Sequence, residues 1–183
     1  MVKACYNCNM ICGLDISTSI TGVTILDNNG KTLYNEAWDT RRFKDHFEKA
    51  NFVRSKASIL CAEFQDIEEI YIEQTLQSFR SGFSSAKTLS SLSRFNGIVS
   101  WILFSLTGVK PQYVSASSAR KACGIKVPKG EKAKEVVVKF LLDNEPGFMV
   151  EYTKFGNIKP ECFDKADSII VAKAGYICQQ KRK

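Results

Sequence analysis

The sequence predicts a mixed α/β fold in which helices cover a sheet, and three patterns support this prediction. An apolar run at residues 10–16 is followed by two further strand-like segments around a hairpin turn. From Thr40 onward, apolar residues recur at three- and four-residue steps, as in amphipathic helices. Strand-like and helical segments then alternate, which is typical of sheets with parallel crossovers. At 183 residues, the chain fits one domain with a sizeable core.

The first three strands are predicted to form an antiparallel meander. Residues 10–16 form a buried strand, residues 22–27 form the second, and the turn at 28–30 (Asn-Asn-Gly) is a strong hairpin signal. Residues 31–38 complete the meander. The helix that follows should cover the sheet with one apolar face. That face contains Phe43, Phe47, Ala50, Ala57, Leu60 and Phe64.

The second half of the chain alternates between strands and helices. Residues 69–74 return to strand character, and the preceding helix makes this strand a parallel neighbour of the first. A second helix runs from about residue 86 to Leu106 and is apolar on two sides near its end. Such a helix is either fully buried or packs against both its own sheet and a second subunit. The remaining elements are a strand at 112–114, a serine-capped helix at 115–123, a basic helix at 131–143, a loop at 144–161 and a final helix.

Four acidic residues in three separate segments form the candidate site. Asp15 ends the first apolar run, and Glu73 ends another. In open α/β sheets, ligands bind beyond the carboxyl ends of parallel strands, so these two carboxylates should be neighbours. Asp164 and Asp167 lie three residues apart on the final helix and therefore share one face. That face continues as an apolar stripe at Val171, Ala174 and Cys178. Packing of the stripe on the sheet would turn both acids toward the sheet edge.

Clustered carboxylates need a counter-charge. Two of them about 4 Å apart repel by roughly 4 kcal/mol at an effective dielectric constant of 20. Either some are protonated with raised pKa values or divalent cations lie among them. An oxygen-only cage suits Mg²⁺ or Mn²⁺, and two such ions can support phosphodiester cleavage without a histidine base. A lone acid at a strand end is more often solvated or capping, but the joint placement of four favours a metal site.

Positive charge is concentrated in one stretch of the chain. The 26 Lys and Arg residues exceed the 19 Asp and Glu residues, giving a formal net charge of +7, and this favours a polyanionic partner. Residues 110–139 carry most of that excess. The plain alternative for such a stretch is a solvated helix face. Its basic residues are Lys110, Arg120, Lys121, Lys126, Lys129, Lys132, Lys134 and Lys139.

The seven cysteines are scattered without paired spacing. No signal peptide or apolar run of transmembrane length is evident, so we expect a reducing, cytoplasmic compartment and no membrane association. Cys5, Cys8 and Cys12 form a C-x2-C-x3-C cluster that could hold zinc. The chain has no second C-x-x-C pair and only one histidine, His46, which argues against a structural zinc.

Taken together, these segments resemble the RuvC-type Holliday junction resolvases, particularly the phage and bacterial members. Residues 12–22 (Cys-Gly-Leu-Asp-Ile-Ser-Thr-Ser-Ile-Thr-Gly) look like the opening strand and turn of that family, and residues 72–74 (Ile-Glu-Gln) are similar to its second acidic motif. Residues 118–134 resemble its basic DNA-contacting region, and residues 163–170 look like its closing D-x-x-D helix. The resemblance covers about residues 10–180 in the right order.

The resemblance implies a ribonuclease H-like fold with a mixed five-stranded sheet flanked by helices. Residues 1–9 would be an N-terminal extension and residues 10–183 the nuclease domain. It also implies a homodimer that binds four-way DNA junctions and makes paired symmetric nicks with Mg²⁺ or Mn²⁺, two ions per site, in the cytoplasm of a bacterial cell or phage-infected host. The metal ligands would be Asp15, Glu73, Asp164 and Asp167.

Further site residues come from the same resemblance. Lys121 and one of Lys132 or Lys134 are expected near the backbone being cut. The aromatic wedge of the family has no clear match after the second acid, where Phe79 and Phe83 are candidates and Leu76 is an alternative. Many members also have Pro-Gly where this chain has Ile16-Ser17. The expected DNA-binding residues are Phe79, Arg80, Phe83, Ser117, Ser118, Arg120, Lys121, Lys126, Lys129, Lys132 and Lys134.

Three other functions fit parts of the sequence. A nucleotide-binding protein of the actin and sugar-kinase class also has an Asp-x-x-x-Ser loop after a strand, but such proteins normally need two domains and give the basic stretch no role. Another ribonuclease H-like nuclease could act on RNA, RNA–DNA hybrid or flap substrates with the same acids. A non-catalytic junction-binding protein would not need to keep all four acids.

Overall fold

The computed structural model describes residues 9–74 and 86–182, which form a mixed five-stranded sheet with helices on both faces. This confirms the predicted α/β fold. In chain order the elements are β1 (Met10–Ile16), β2 (Ile20–Leu26), β3 (Thr32–Asp39), α1 (His46–Glu63), β4 (Ile67–Glu73), α2 (Ala86–Thr107), β5 (Gln112–Val114), α3 (Ala116–Ala122), α4 (Ala133–Asn144) and α5 (Pro160–Gln180).

The sheet has the order β3-β2-β1-β4-β5. The first three strands are antiparallel, as the hairpin signal predicts, whereas β4 and β5 run parallel to β1 and β4 respectively. Leu14 of β1 pairs with Ile72 of β4. The residues that follow them, Asp15 and Glu73, therefore lie side by side at one edge. On the other side of β1, Asp15 is opposite Gly22 of β2.

Helices α1 and α2 cover one face of the sheet and enclose its larger apolar core, which includes Leu14, Val23, Ile70 and Phe95. The predicted apolar face of α1 is correct at Ala50, Ala57 and Leu60 but wrong at Phe47, which is 79% exposed. The helix begins only at His46, after the N-cap Asp45, whose carboxylate accepts hydrogen bonds from the first turn. Phe47 belongs to that capped first turn, ahead of the stretch that reaches the core.

The two-sided helix α2 is not completely buried in the described part of the chain. Phe95, Val99 and Leu103 lie in the core, whereas Trp101 is 65% exposed, with the ring of Phe104 at 5.8 Å. Complete burial within one chain, one of the two alternatives for this helix, is therefore wrong for the described structure. An apolar aromatic surface is left on the outside of the layer.

Helix α5 covers the opposite face of the sheet. Val171 and Ala174 are buried as predicted, but Cys178 is exposed. In the last turns the buried stripe lies instead at Gly175 and Gln179, because a repeat of 3.6 residues rotates a stripe of constant spacing around the helix. A second apolar cluster lies between α5 and the α3 and α4 helices.

Cys12, a member of the C-x2-C-x3-C cluster, lies inside the core, where it is 1% exposed and packed among aliphatic residues. Burial raises the pKa of its thiol, with a smaller contribution from Cys61. Because a zinc ligand must be a thiolate within reach of an ion, Cys12 is unsuited to a site shared with Cys5 and Cys8. Those two cysteines lie outside the described residues. No described helix is both long enough and apolar enough to cross a membrane.

Candidate active site

Asp15 and Glu73 lie at the adjoining carboxyl ends of β1 and β4. The sheet register places them there: β1 and β4 are parallel neighbours, and Asp15 and Glu73 follow the paired residues Leu14 and Ile72. The strands themselves are buried on both faces, so only their ends reach the surface of the molecule. This is the position at which open α/β sheets hold ligands.

Helix α5 brings its two acids to the same edge because it packs directly on strand backbone. A Cβ atom added at Gly22 would lie 1.9 Å from the carbonyl oxygen of Asp164, and one added at Gly13 would lie 2.5 Å from the Cβ of Ala172. Only glycine allows the helix and the strands to approach this closely. The glycine opposite Asp15 thus sets the distance between the strand acids and the helix acids.

Hydrogen bonds beneath the site fix the helix along its axis. The Thr24 hydroxyl on β2 lies 2.8 Å from the Ser168 hydroxyl on α5, and both are fully buried. Asn35 on β3 donates from its amide nitrogen to Thr24 Oγ1 at 2.8 Å and to the Lys165 carbonyl at 3.1 Å. The bonds join two strands to the turn of α5 that carries both acids, so the helix cannot slide without breaking them.

All four acids line one open cavity of about 620 Å³. The strand ends form its floor, α5 forms one wall, and α3 and α4 form another. The convergence that the sequence predicts is therefore present in the structure. The cavity is lined by Asp15, Ile16, Ser17, Glu73, Gln74, Leu92, Ser115, Ala116, Ser117, Arg120, Lys134, Asp164 and Asp167.

The carboxylates raise one another's pKa values. Burial raises the pKa of Asp15 well above its ordinary range, and Glu73, Asp167 and Asp164 add to this in that order. Burial and then Asp167 raise the pKa of Glu73 to about 7. Burial, partly offset by Lys134, raises the pKa of Asp164 to about 6. Burial likewise raises the pKa of Asp167. Mutual repulsion of this kind requires the four groups to lie near each other.

Lys134 is the cation closest to the acids in the described site, with its Nζ 3.6 Å from Asp167 Oδ2. Burial works to lower the pKa of this lysine, but the four carboxylates, Asp167 first, outweigh it and raise the pKa above its ordinary value. Arg120 also lines the cavity and acts on Glu73 and Asp167. Two cations thus face four acids.

The donor set fits a hard divalent cation in its chemistry, since it offers carboxylate oxygens together with the amide and hydroxyl oxygens of Gln74 and Ser17. As the side chains are placed, however, no three Asp, Glu, His or Cys residues among the described ranges form a group that could hold an ion. The acids surround a wide cavity and do not form a closed cage. Metal ligation by Asp15, Glu73, Asp164 and Asp167 stays a prediction.

The expected catalytic lysines separate in the structure. Lys134 faces the acids, whereas Lys132 is 81% exposed and pairs with Glu135 at 2.9 Å. Lys121 is exposed on α3 and is not among the residues that line the cavity. Of the expected DNA contacts, Ser117 and Arg120 line the cavity, and Ser118, Lys126 and Lys129 are exposed. Phe79, Arg80 and Phe83, with the alternative Leu76, lie outside the described residues.

Three polar residues of the cavity were not expected from the sequence as site residues. Ser17 closes the β1–β2 turn, accepting from the Ile20 amide at 3.0 Å and donating to its carbonyl at 2.7 Å. Ser115 caps α3 by accepting from the amide of Ser118. Gln74 follows Glu73 directly. Nearness in sequence to an acid was an available signal for Ser17 and Gln74, whereas Ser115 reaches the cavity only because β5 is parallel to β4.

Three solved structures have the same fold over most of the chain. RuvC from Thermus thermophilus in complex with a Holliday junction substrate is 15% identical, with a TM-score of 0.62 over 94% of this chain and 96% of that chain. A second Thermus thermophilus RuvC structure is 16% identical, with a TM-score of 0.60 and the same coverage. The yeast mitochondrial Holliday junction resolvase Ydc2 is 14% identical, with a TM-score of 0.56 over 94% and 80%.

These similarities establish a RuvC-type, ribonuclease H-like fold. The expectation of that fold from the acidic and basic motifs is confirmed. No protein-family model and no curated protein sequence matches the chain. At this level of identity the likeness is one of architecture alone.

Proposed function

We propose that this protein is a metal-dependent endonuclease that resolves four-way and related branched DNA junctions by paired, symmetric nicks. The observation that carries the proposal is one cavity lined by Asp15, Glu73, Asp164 and Asp167, with Arg120 and Lys134 on its wall. The cavity lies in a fold shared with two RuvC structures and a yeast resolvase, one of them in complex with a Holliday junction substrate.

The four carboxylates are proposed to hold Mg²⁺ or Mn²⁺, two ions per site. Bound divalent cations supply Lewis acidity that polarises the phosphodiester and activates water at neutral pH. The chain contributes a rigid placement of the donors, because β1, β4 and α5 are fixed to one another by backbone contact and buried hydrogen bonds. A cation that binds between carboxylates with raised pKa values would displace protons and relieve their repulsion.

Lys134 and Arg120 are proposed to hold the scissile phosphate beside the acids. Lys134 lies between the acids and solvent, with 59% of its side chain exposed, so it can contact a phosphate without leaving Asp167. The exposed lysines of the segment between α3 and α4, Lys126 and Lys129, would grip the flanking backbone. Neither group reads base sequence, so selection of a branch point would come from shape.

We propose that the shape is read by a homodimer formed through the outer face of α2. Trp101 is 65% exposed there, and Tyr113 of the edge strand β5 is 52% exposed, with its hydroxyl donating to Ser100 at 2.9 Å. Large exposed aromatic surfaces of this kind are typical of interfaces. A two-fold dimer would face two strands related by the symmetry of a junction.

Light scattering tests the dimer. We expect the parent protein to have the mass of two chains and Trp101→Asp to have the mass of one, because a carboxylate would be buried without a partner at the interface. Leu142→Asp is the matched control: Leu142 is 48% exposed on α4, away from α2. A monomeric parent protein, or an unchanged mass for Trp101→Asp, would contradict this interface.

Cleavage of a substrate panel tests the function. Single-turnover reactions with Mg²⁺ would compare a synthetic four-way junction with duplex, flap and RNA–DNA hybrid substrates. We expect paired symmetric nicks in the junction and much slower cutting of the others. Preferred cutting of hybrid or flap would assign another nuclease activity to the same acids, and tight junction binding without cutting would indicate a binding protein. Equal cutting of all substrates would contradict the resolvase proposal.

A further inference from the structure

The segment between α4 and α5 contains a small hairpin, residues 151–159, that no part of the proposed mechanism uses. Its two arms are joined by a bridge between Tyr152 and Ile158 and by the Lys159 amide, which donates to the Glu151 carbonyl at 2.8 Å. At the tip, the Thr153 amide donates to the Asn157 carbonyl at 2.7 Å. The sequence pattern predicts only a plain loop for this segment. These bonds give it a defined shape.

The base of the hairpin is fixed to the helix that carries the active-site acids. Lys159 is the N-cap residue of α5, and the Glu151 amide donates to the sulfur of Cys162, which is buried in the first turn. Asp164 follows Lys159 by five residues, which is about 7.5 Å along a helix axis. The hairpin therefore projects from the active-site end of α5, and any displacement of α5 would carry both together.

The hairpin exposes two aromatic rings to solvent, so they contribute little to the core. Phe155 is 78% exposed and Tyr152 is 58% exposed, and the ammonium of Lys154 lies 4.9 Å from the centre of the Phe155 ring. An aromatic face with a lysine beside it matches the two needs of a nucleobase on a phosphate backbone, which are stacking and counter-charge. The same surface would also suit a protein partner, but the nearby charges favour DNA.

Those charges lie on the segment between β3 and α1, which contacts the first turn of α5. Arg41 forms an ion pair with Glu161 in the first turn of α5, and Arg42 and Lys44 are exposed beside it. Arg41 is also paired with Asp39, whereas Arg42 and Lys44 add exposed positive charge near the end of α5 from which the hairpin and Lys154 project.

We propose that Tyr152 and Phe155 stack on unpaired bases at the branch point of the bound DNA. The inference rests on the proposed function, since it takes branched DNA as the ligand of the acidic cavity. It adds a site that reads strand opening, whereas the lysines read only phosphate. Fully paired duplex offers no free base faces, so the hairpin would favour branched over linear DNA.

Equilibrium binding of a four-way junction and a matched duplex in EDTA tests the hairpin without cleavage. The double variant Tyr152→Ala with Phe155→Ala should bind the junction at least tenfold more weakly, because base stacking is lost. This lies within the roughly 5- to 150-fold that removal of one stacking aromatic typically costs. Duplex binding should change less than twofold. The slope of log affinity against log salt should stay the same, because the same phosphates are neutralised. A 2-aminopurine at the branch point should be quenched by the parent protein and not by the variant.

Two further variants make the result specific. Ile59→Ala removes an apolar side chain that is 67% exposed in the second half of α1 and should leave junction binding unchanged. Phe155→Trp keeps a flat ring and should retain junction affinity. Thermal unfolding of each variant identifies any loss of folding, and a misfolded double variant would be replaced by the Phe155→Ala and Phe155→Trp pair.

Several outcomes would overturn the hairpin assignment. The first is a junction affinity of the double alanine variant within twofold of the parent. The second is an equal loss of affinity for the junction and the duplex. The third is a changed oligomeric mass with unchanged DNA affinity. The last result would assign the hairpin to a protein contact. A parent protein that does not prefer the junction contradicts the proposed function itself, so the two failures are distinguishable.

Discussion

The two walls of the active-site cavity are built in different ways. The wall formed by α5 rests on strand backbone at Gly22 and Gly13 and is held by the Thr24–Ser168 hydrogen bond. The wall formed by α3 and α4 presents Arg120 and Lys134, with exposed lysines around them. The first wall fixes the positions of its acids through direct contact between the helix and the strand backbone. The second supplies charge from side chains that can move.

The difference teaches which part of the site tolerates change. Acids that cooperate need fixed spacing, because metal geometry and mutual repulsion both depend steeply on distance. Lysines that attract a polyanion act through summed charge, so no single one must be placed accurately. We therefore expect large, cooperative losses from substitutions in the α5 wall and in the strand ends on which it rests, and small, additive ones in the basic wall.

The largest effect is expected from the acids. Asp15→Asn or Glu73→Gln should lower single-turnover cleavage of a four-way junction by about 10² to 10³, because several kcal/mol of transition-state stabilisation is lost. Junction binding should persist, since the basic wall is intact. The exposed acid Asp143 provides the control, and Asp143→Asn should cleave normally. Cleavage within fivefold of the parent for both acid variants would break the distinction between the two walls.

The next effect is expected from backbone contact. Gly22→Ala would place a methyl group against the Asp164 carbonyl, so α5 must move outward, and overpacking of this kind costs about 3 kcal/mol. Chemical denaturation should show this loss, and cleavage should fall with it. Gly97→Ala is the matched control, because nothing lies within 4 Å of an added Cβ there. It should stabilise the helix by about 0.5–1 kcal/mol. Equal stabilities of the two variants would contradict close packing at Gly22.

A third effect concerns pH. Because the pKa of Glu73 is raised from 4.5 to about 7 and that of Asp164 from 3.8 to about 6, the folded protein holds protons that the unfolded chain releases. The free energy of unfolding of the metal-free protein should therefore fall from about pH 4 to pH 7, on the order of 1–3 kcal/mol. Denaturation in EDTA measures this. Glu73→Gln should make the free energy of unfolding depend less on pH. A rise in this free energy from pH 4 to pH 7 that occurs in the parent but not in Glu73→Gln would contradict the shared cavity.

The smallest effect is expected from single lysines of the basic wall. Lys126→Ala or Lys129→Ala should weaken junction binding by about two- to fivefold, as for other exposed ionic contacts. The slope of log affinity against log salt should fall by about 0.9 for each phosphate that is no longer neutralised. Salt titrations of the single and double variants would measure both. Losses that exceed additivity would indicate a structured lysine site and weaken the comparison.

Much of the fold was predictable because the spacing of apolar residues distinguishes strands from helices. The boundaries of β1, α2 and β5 and the parallel placement of Asp15 beside Glu73 follow from apolar runs and crossover length. The close approach of α5 at Gly22 could not be predicted, because it depends on which strand residue faces which helix turn. The outward position of Phe47 depends on the capped start of α1 at His46, which periodicity alone does not locate.

The acidic residues of the candidate site were predictable, and the basic residues were less so. Spacing three apart on a helix places Asp164 and Asp167 together whatever the tertiary structure. The choice between Lys132 and Lys134 depends on where α4 begins. The structure starts this helix at Ala133, which turns Lys134 toward the acids and leaves Lys132 paired with Glu135. The hairpin at 151–159 could not be predicted from strand periodicity. Its arms are joined by one isolated bridge, so they are too short to show an alternating pattern.

Manganese binding to the metal-free protein tests most directly whether the four acids share cations. Electron paramagnetic resonance would count the Mn²⁺ bound per chain in the parent, in Glu73→Gln and in Asp143→Asn. We expect two bound ions in the parent and in Asp143→Asn, and loss of at least one in Glu73→Gln. Equal binding by the parent and Glu73→Gln would contradict a shared cation site.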